Sequence, residues 1–240
     1  MGRVLILGHR GAVHSTSPEN TLASVDRALR QGADGVEIDV RVTSDGIPVC
    51  HHDASFERTA DDRRVLAMTP YADLPWMGSH RVPRLSEVVD LVAGRGQLVV
   101  ELKSPAWPAL EAPESVSAVA DVLRRHRIDH VSVSSFDRLR LKAFRSLGLG
   151  CPTALLGRPA VPLLGLVRQA RQDGHDHVHP HVSSVLTRPE HVTHELRMTA
   201  WTVNRPADLL RMRDLGLHAV ISDDPGAARE QLLTPLADVG

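Results

Sequence analysis

Short apolar runs and longer segments of helical period alternate along the whole chain. The runs are VLILG at 4–8, GVEIDV at 35–40, QLVVEL at 97–102, HVSVSS at 130–135, CPTALL at 151–156, HDHVHP at 175–180, MTAWTV at 198–203 and AVISD at 219–223. Their lengths suit strands. The helical patterns fall at 19–31, 84–93, 114–127, 137–147, 162–173, 188–196, 206–215 and 225–233. Strand then helix, eight times over, predicts a parallel (β/α)₈ TIM barrel. A doubly wound open sheet is the alternative. The count of eight, and polar residues at most strand ends, favour the barrel.

Punctuation supports the helices. Ser17-Pro18-Glu19 offers a capping residue and a first-turn proline, and Asn204-Arg205-Pro206 and Asp224-Pro225 repeat that form. Gly32, Gly148 and Gly216 stand where helices should stop. One segment breaks the rhythm. After GVEIDV comes Thr43-Ser44-Asp45-Gly46, a hairpin turn by composition, then the apolar IPVC and His51-His52-Asp53. Residues 54–83 then read as a polar loop insertion after the second strand, at the C-terminal face of the barrel. With 240 residues, 1–240 fits one domain with that insertion inside it.

Composition narrows the function classes. The hydrophobic share is 42%, ordinary for a globular chain, and the formal net charge is -1. There is no basic field for nucleic acid. No apolar stretch has the length of a membrane span, so no stable membrane insertion is expected. The N-terminus lacks the long apolar core of a secretory signal, and Ile6 stands where a myristoylation motif needs Ser or Thr. Cys50 and Cys151 lie inside apolar runs and read as free thiols. A cytoplasmic location is expected. The oligomeric state has no signal here.

The chemistry gathers at strand ends. Glu37 and Asp39 are two apart in a strand, so they share a face. Two carboxylates on one face of an apolar strand repel each other and resist burial. Salt bridges to Arg10, Arg41 or Lys103 would explain them, but Glu101 closes the next strand as a third acid. Three carboxylates suit a hard divalent cation, Mg²⁺ or Ca²⁺, with Mn²⁺ a further candidate. His9 can move a proton and Arg10 can fork onto a phosphate, though the pair could also cap strand-end carbonyls. Alternation lets only one of His51 and His52 face the barrel mouth. Lys103 should share the face of Glu101.

Two further segments carry weaker signals. His175, His177, His179 and His181 resemble a metal tract, but Pro180 ends the strand. Surface or strand-edge histidines are expected, with His179 nearest the mouth. Trp201 and Asp223 end the seventh and eighth strands.

Taken in order, HRG, PENT at 18–21, GVEIDV, PVCHHD, ELK, VPRLSE, SSF, WTVN and SDDP resemble the glycerophosphodiester phosphodiesterase family along essentially the whole chain. The resemblance implies a metal-dependent barrel that hydrolyses a small-molecule glycerophosphodiester to glycerol phosphate and an alcohol. It implies Glu37, Asp39 and Glu101 as metal ligands, and His9 and His52 as the acid/base pair. It further implies Arg10 and Lys103 on the phosphate, Trp201 in the substrate pocket, and Glu19 and Asn20 ordering the site. A lysophospholipase D-like activity and a non-catalytic barrel binding a phosphorylated ligand are the alternatives. The loop between Gly11 and Pro18 is slightly longer than the usual form, and the 54–83 insertion is shorter than in many members.

Overall fold

The computed structural model describes residues 3–105, 115–126, 129–159 and 161–233. Eight parallel strands form a closed barrel. They are β1 (Leu5–His9), β2 (Gly35–Val42), β6 (Gln97–Leu102), β7 (Val131–Ser135), β8 (Thr153–Leu156), β9 (His177–His179), β10 (Arg197–Ala200) and β11 (Ala219–Ser222). The sheet runs β1-β11-β10-β9-β8-β7-β6-β2, and the β1–β2 pairing closes it. The Asp45-Gly46 turn, with Gly46 at φ 81°, folds β3 (Pro48–Cys50) back antiparallel onto β2.

Alternation along β2 divides its side chains. Val36, Ile38 and Val40 are fully buried in the main core, which lies between the sheet and the helices. Burial of each stabilises the fold by roughly 1.5–3 kcal/mol. Glu37 and Asp39, on the opposite face, point into the barrel. A separate small cluster of Leu7, Val99, Ala219 and Ile221 fills the barrel interior.

The helices among the described residues are α1 (Leu22–Arg30), α2 (Glu57–Ala60), α3 (Leu85–Val92), α4 (Ser115–His126), α5 (Arg138–Ser146), α6 (Leu163–Gln172), α7 (Val182–Thr187), α8 (Pro206–Asp214) and α9 (Pro225–Leu233). Positions 114 and 127 of the expected fourth helix lie outside the described residues. Gly32, Gly148 and Gly216 sit at φ 84°, 68° and 71°, the left-handed region expected just past a helix end.

Three expectations need correction. The first helix begins at Leu22, not at 19. Thr21 is its cap, accepting from Ser24 N at 3.1 Å. Asn20 at φ 57° cannot continue into a helix, which leaves Pro18-Glu19-Asn20 as a loop over the barrel mouth. The helix expected over 188–196 lies instead at Val182–Thr187, followed by a single 3₁₀ turn at Pro189–His191. Pro189 is the cause: it excludes the helical region at Arg188, found at φ -139° and ψ 66°.

The third correction concerns the histidine-rich segment. His175, His177 and His179 are buried rather than on the surface. The rings of His177 and His179 lie 6.3 Å apart, and His218 stands 6.1 Å from His177. His177 and His179 are polar filling for the barrel interior, whereas His175 precedes the strand and lies 3.0 Å from Thr153 Oγ1.

The insertion is more structured than its polar composition suggests. β4 (Ser55–Phe56) and β5 (Asp62–Val65) pair antiparallel around α2. Phe56, Leu66, Tyr71, Met77 and Val82 form a small core of their own against Val49 of β3.

The buried histidines give the fold a pH dependence. Burial, with Arg197 and His218 nearby, pushes His177 down to about 4. Burial, with His177 and His218 nearby, pushes His179 down to about 3. The unfolded chain therefore binds protons that the native barrel refuses. Stability is full above the ordinary histidine value and declines below pH 6.5, by up to about 1.4 kcal/mol per pH unit for each group. Thermal melts between pH 7 and pH 5 check this: a His177→Gln/His179→Gln variant is expected to lose less Tm over that range than the parent.

Candidate active site

β1 and β2 lie side by side with His9 opposite Glu37, and β2 and β6 with Asp39 opposite Glu101. This register carries four polar side chains to one sector of the barrel mouth. One oxygen from each of Glu37, Asp39 and Glu101 falls within 4.8 Å of the others, and all three residues are buried. Lys103 Nζ lies 2.7 Å from both Asp39 Oδ1 and Glu101 Oε1. Arg10 Nε lies 3.0 Å from Asp39 Oδ2. The salt-bridge explanation thus holds for two of the acids and fails for the third. Glu37 has no ion pair among the described residues, and its carboxylate accepts only the Arg10 backbone N–H at 3.3 Å. Arg41 is engaged elsewhere, donating to His52 O and Ser104 O.

Titration follows from this crowding. Burial, then the neighbouring Asp39, pushes Glu37 up to about 8. Burial acts the same way on Asp39, but Lys103 and Arg10 beside it prevail and hold it well below the carboxylate range. Glu101 is raised by burial, with Lys103 working against it. A buried carboxylate without a cation, beside two others, is a donor set that fits a hard divalent ion. Glu37, Asp39 and Glu101 are the residues that could hold one.

Two histidines flank the acids. His9 Nδ1 lies 2.6 Å from Asp223 Oδ1, and Asp223 in turn accepts from Asn204 Nδ2 at 2.6 Å. Burial opposes charge on His9, but the Asp223 bond and the nearby Glu37 prevail and raise its pKa. His52 Nδ1 lies 2.6 Å from Asp53 Oδ1. Burial, with Lys103 and Arg10 nearby, outweighs Asp39 and lowers the His52 pKa. Its neighbour His51 turns into the insertion, against the Phe56 ring at 4.4 Å and Thr59 Oγ1 at 3.0 Å. Of the pair, His52 is therefore the one at the site.

The loops hold this arrangement under strain. Arg10 and Asn20 both have positive φ, 55° and 57°, and Asn20 N donates to Arg10 O at 3.0 Å. Asn20 clasps Asp39 twice, Nδ2 to Oδ2 at 2.8 Å and Oδ1 from Asp39 N at 3.0 Å. Glu19 accepts Arg10 Nη1 at 3.0 Å. At Gly11 (φ 85°) an added Cβ would stand 2.4 Å from the Ser24 backbone, so the loop lies directly on α1.

The far side of the mouth is aromatic. Trp201 donates from Nε1 to His179 O at 3.1 Å. It meets Phe136 and His181 edge-to-face at 5.6 and 5.1 Å.

A family model described as the glycerophosphoryl diester phosphodiesterase family matches residues 9–227. The chain belongs to this family. It is thus a phosphoric diester hydrolase with glycerophosphodiester phosphodiesterase activity. A glycerophosphodiester phosphodiesterase of Caldanaerobacter subterraneus subsp. tengcongensis is 28% identical, over 93% of this chain and 95% of that protein. A phosphodiesterase of Oleispira antarctica, solved in complex with the product sn-glycerol-3-phosphate, superposes with a TM-score of 0.83. It has 28% identity and covers 96% of this chain and 97% of that one. The fold is shared with the enzyme of Thermotoga maritima, at a TM-score of 0.80 and 22% identity, covering 96% and 99% of the two chains.

Every site residue expected of the family lies in this mouth, and the structure adds partners that sequence did not single out. Asp53, Arg58 and Asn204 are the additions. Asp53 and Asn204 sit inside recognised motifs, which could have flagged them. Arg58 looked no different from Arg63 and Arg64 beside it.

The crowding at Glu37 is measurable. A carboxyl raised from its ordinary 4.5 to about 8 is an acid that folding disfavours ionising, so stability falls as pH rises through that window. In chelator at pH 8, Glu37→Gln is expected to be more stable than the parent by on the order of 1–3 kcal/mol. Added Mg²⁺ or Ca²⁺ should raise the Tm of the parent and leave that of Glu37→Gln nearly unmoved, as differential scanning fluorimetry would record.

Proposed function

We propose that the whole chain works as one barrel unit, with 54–83 as its insertion. It hydrolyses small, water-soluble glycerophosphodiesters to glycerol phosphate and an alcohol, in the cytoplasm. The observation that carries this reading is the buried trio Glu37, Asp39 and Glu101 with a histidine on either side. We assign the trio to one Mg²⁺ or Ca²⁺ ion, with Mn²⁺ a third candidate. Such a cation, when bound, polarises a phosphoryl oxygen and offsets developing negative charge.

The chain's own groups divide the remaining work. Arg10 and Lys103 hold the phosphate. His52, lowered and therefore neutral near pH 7, is the base that takes the nucleophile's proton. His9, raised and held by Asp223, is the acid that protonates the leaving alkoxide. Both are tied through Nδ1, which frees Nε2 for the reacting oxygen. Glu19 and Asn20 keep Arg10 and Asp39 in place, and Trp201 walls the substrate pocket.

His52→Ala and Glu37→Gln are expected to lower metal-dependent release of glycerol phosphate by at least about 100-fold, the lower end for a positioned acid/base group. Full activity in either variant would contradict these roles.

The pH profile carries its own sign. Activity should rise as His52 loses its proton and fall as His9 loses its own. Asp223→Asn removes the negative charge that strengthens the bond to His9 and raises it, and should move the alkaline limb to lower pH, leaving the acid limb in place.

One observation favours a second reading. Trp76 and Met68 of the insertion are 57% and 62% exposed, as an interfacial contact with lysophospholipid would need. Rates on glycerophosphocholine and lysophosphatidylcholine, measured side by side, separate the two.

A further inference from the structure

Arg58 belongs to α2 of the insertion, outside the barrel, yet it reaches both branches of the site. Its Nη1 donates to Glu19 Oε2 at 2.9 Å, and its Nη2 donates to Glu19 Oε1. Its Nε donates to Asp53 Oδ2 at 2.6 Å. Glu19 is the residue that holds Arg10, and Asp53 is the residue that holds His52. One guanidinium therefore joins the phosphate-facing arginine to the histidine on the opposite side of Asp39.

We propose that Arg58 is a positioning residue for both His52 and Arg10, and that through it the insertion becomes part of the catalytic apparatus. This rests on the acid/base reading of His52 given above. An exposed ion pair usually contributes little, and the Arg58 side chain is half exposed. Three features set this one apart. All three guanidinium nitrogens donate, two to one carboxylate and the third to another. Without Arg58, Glu19 and Asp53 would be neighbouring negative charges, each held by a single partner, Arg10 and His52. The Arg58 backbone is also anchored, because Phe56 two residues earlier is fully buried in the insertion core and packs on His51. His51 closes the loop by its contact with Thr59 Oγ1. The tie thus runs from a packed core, through a planar fork, to the ring orientation of His52.

A lysine cannot reproduce it. An ammonium is a point charge and cannot hold two carboxylates in fixed planes. The role is therefore geometric: through His52 it should appear mainly in kcat, and through Arg10 to a lesser degree in KM.

The test compares Arg58→Ala and Arg58→Lys with the parent and with His52→Ala, on one glycerophosphodiester with saturating Mg²⁺. Both Arg58 variants are expected to lose about 10–100-fold in kcat, the range seen when a group behind an active-site residue is removed. KM should rise by a smaller factor than kcat falls. Guanidinium ion at millimolar concentration should restore much of the activity of Arg58→Ala and none of that of His52→Ala. Arg58→Lys, which keeps charge and stem, covers the case in which the alanine variant does not fold. A kcat within threefold of the parent in the lysine variant, a loss confined to KM, or failure of guanidinium to rescue folded Arg58→Ala would overturn the proposal. Full activity in His52→Ala would instead overturn the acid/base reading on which it rests.

Discussion

Glu37, Asp39 and Glu101 are buried together with too little positive charge, and the rest of the mouth is arranged around that fact. Lys103 and Arg10 neutralise two of the three acids by direct contact. Glu37 keeps a carboxylate with no ion pair among the described residues. Burying an unpaired charge is costly, which is why Glu37 is pushed up to about 8 and why the trio is a donor set that fits a cation. The divalent cation proposed for Glu37, Asp39 and Glu101 would make the same burial favourable and, when bound, would polarise a phosphoryl oxygen.

The barrel makes the arrangement possible without long-range coordination of loops. Strand register alone sets His9 beside Glu37, and Asp39 beside Glu101. The loops then refine it. Arg10 and Asn20 adopt left-handed backbone that few non-glycine residues tolerate, and their mutual hydrogen bond offsets part of the cost. The outer ties, Asp223 on His9 and Asp53 on His52, hold each imidazole by the same nitrogen. The two rings nevertheless titrate in opposite directions. His9 has a well-held aspartate and the unpaired Glu37 nearby, whereas His52 has two cations nearby and a partner shared with Arg58.

Much of this was legible in the sequence because period and motif report local constraints. The eight apolar runs announced the barrel, and the spacing of Glu37 and Asp39 announced a shared face. The runs failed where one residue overrode the pattern. Asn20 ended the loop three residues later than the Ser17-Pro18 signal implied, and Pro189 displaced a helix toward the N-terminus. The buried histidines were misplaced because alternation places side chains on a face without revealing that the face is the inside of a barrel. The insertion's core was hidden for a related reason: Phe56, Leu66, Tyr71, Met77 and Val82 follow no helical or strand period. Arg58 was invisible because its importance depends on carboxylates 39 and 5 positions away in the chain.

The central claim is that the carboxylate trio is a single cation site. The most direct measurement is a crystal structure grown with Mn²⁺ and read by anomalous scattering. The account predicts one anomalous peak within coordination distance of Glu37, Asp39 and Glu101, and its loss in Glu37→Gln. A fully active enzyme whose crystals carry the ion elsewhere, with that trio holding none, would contradict it.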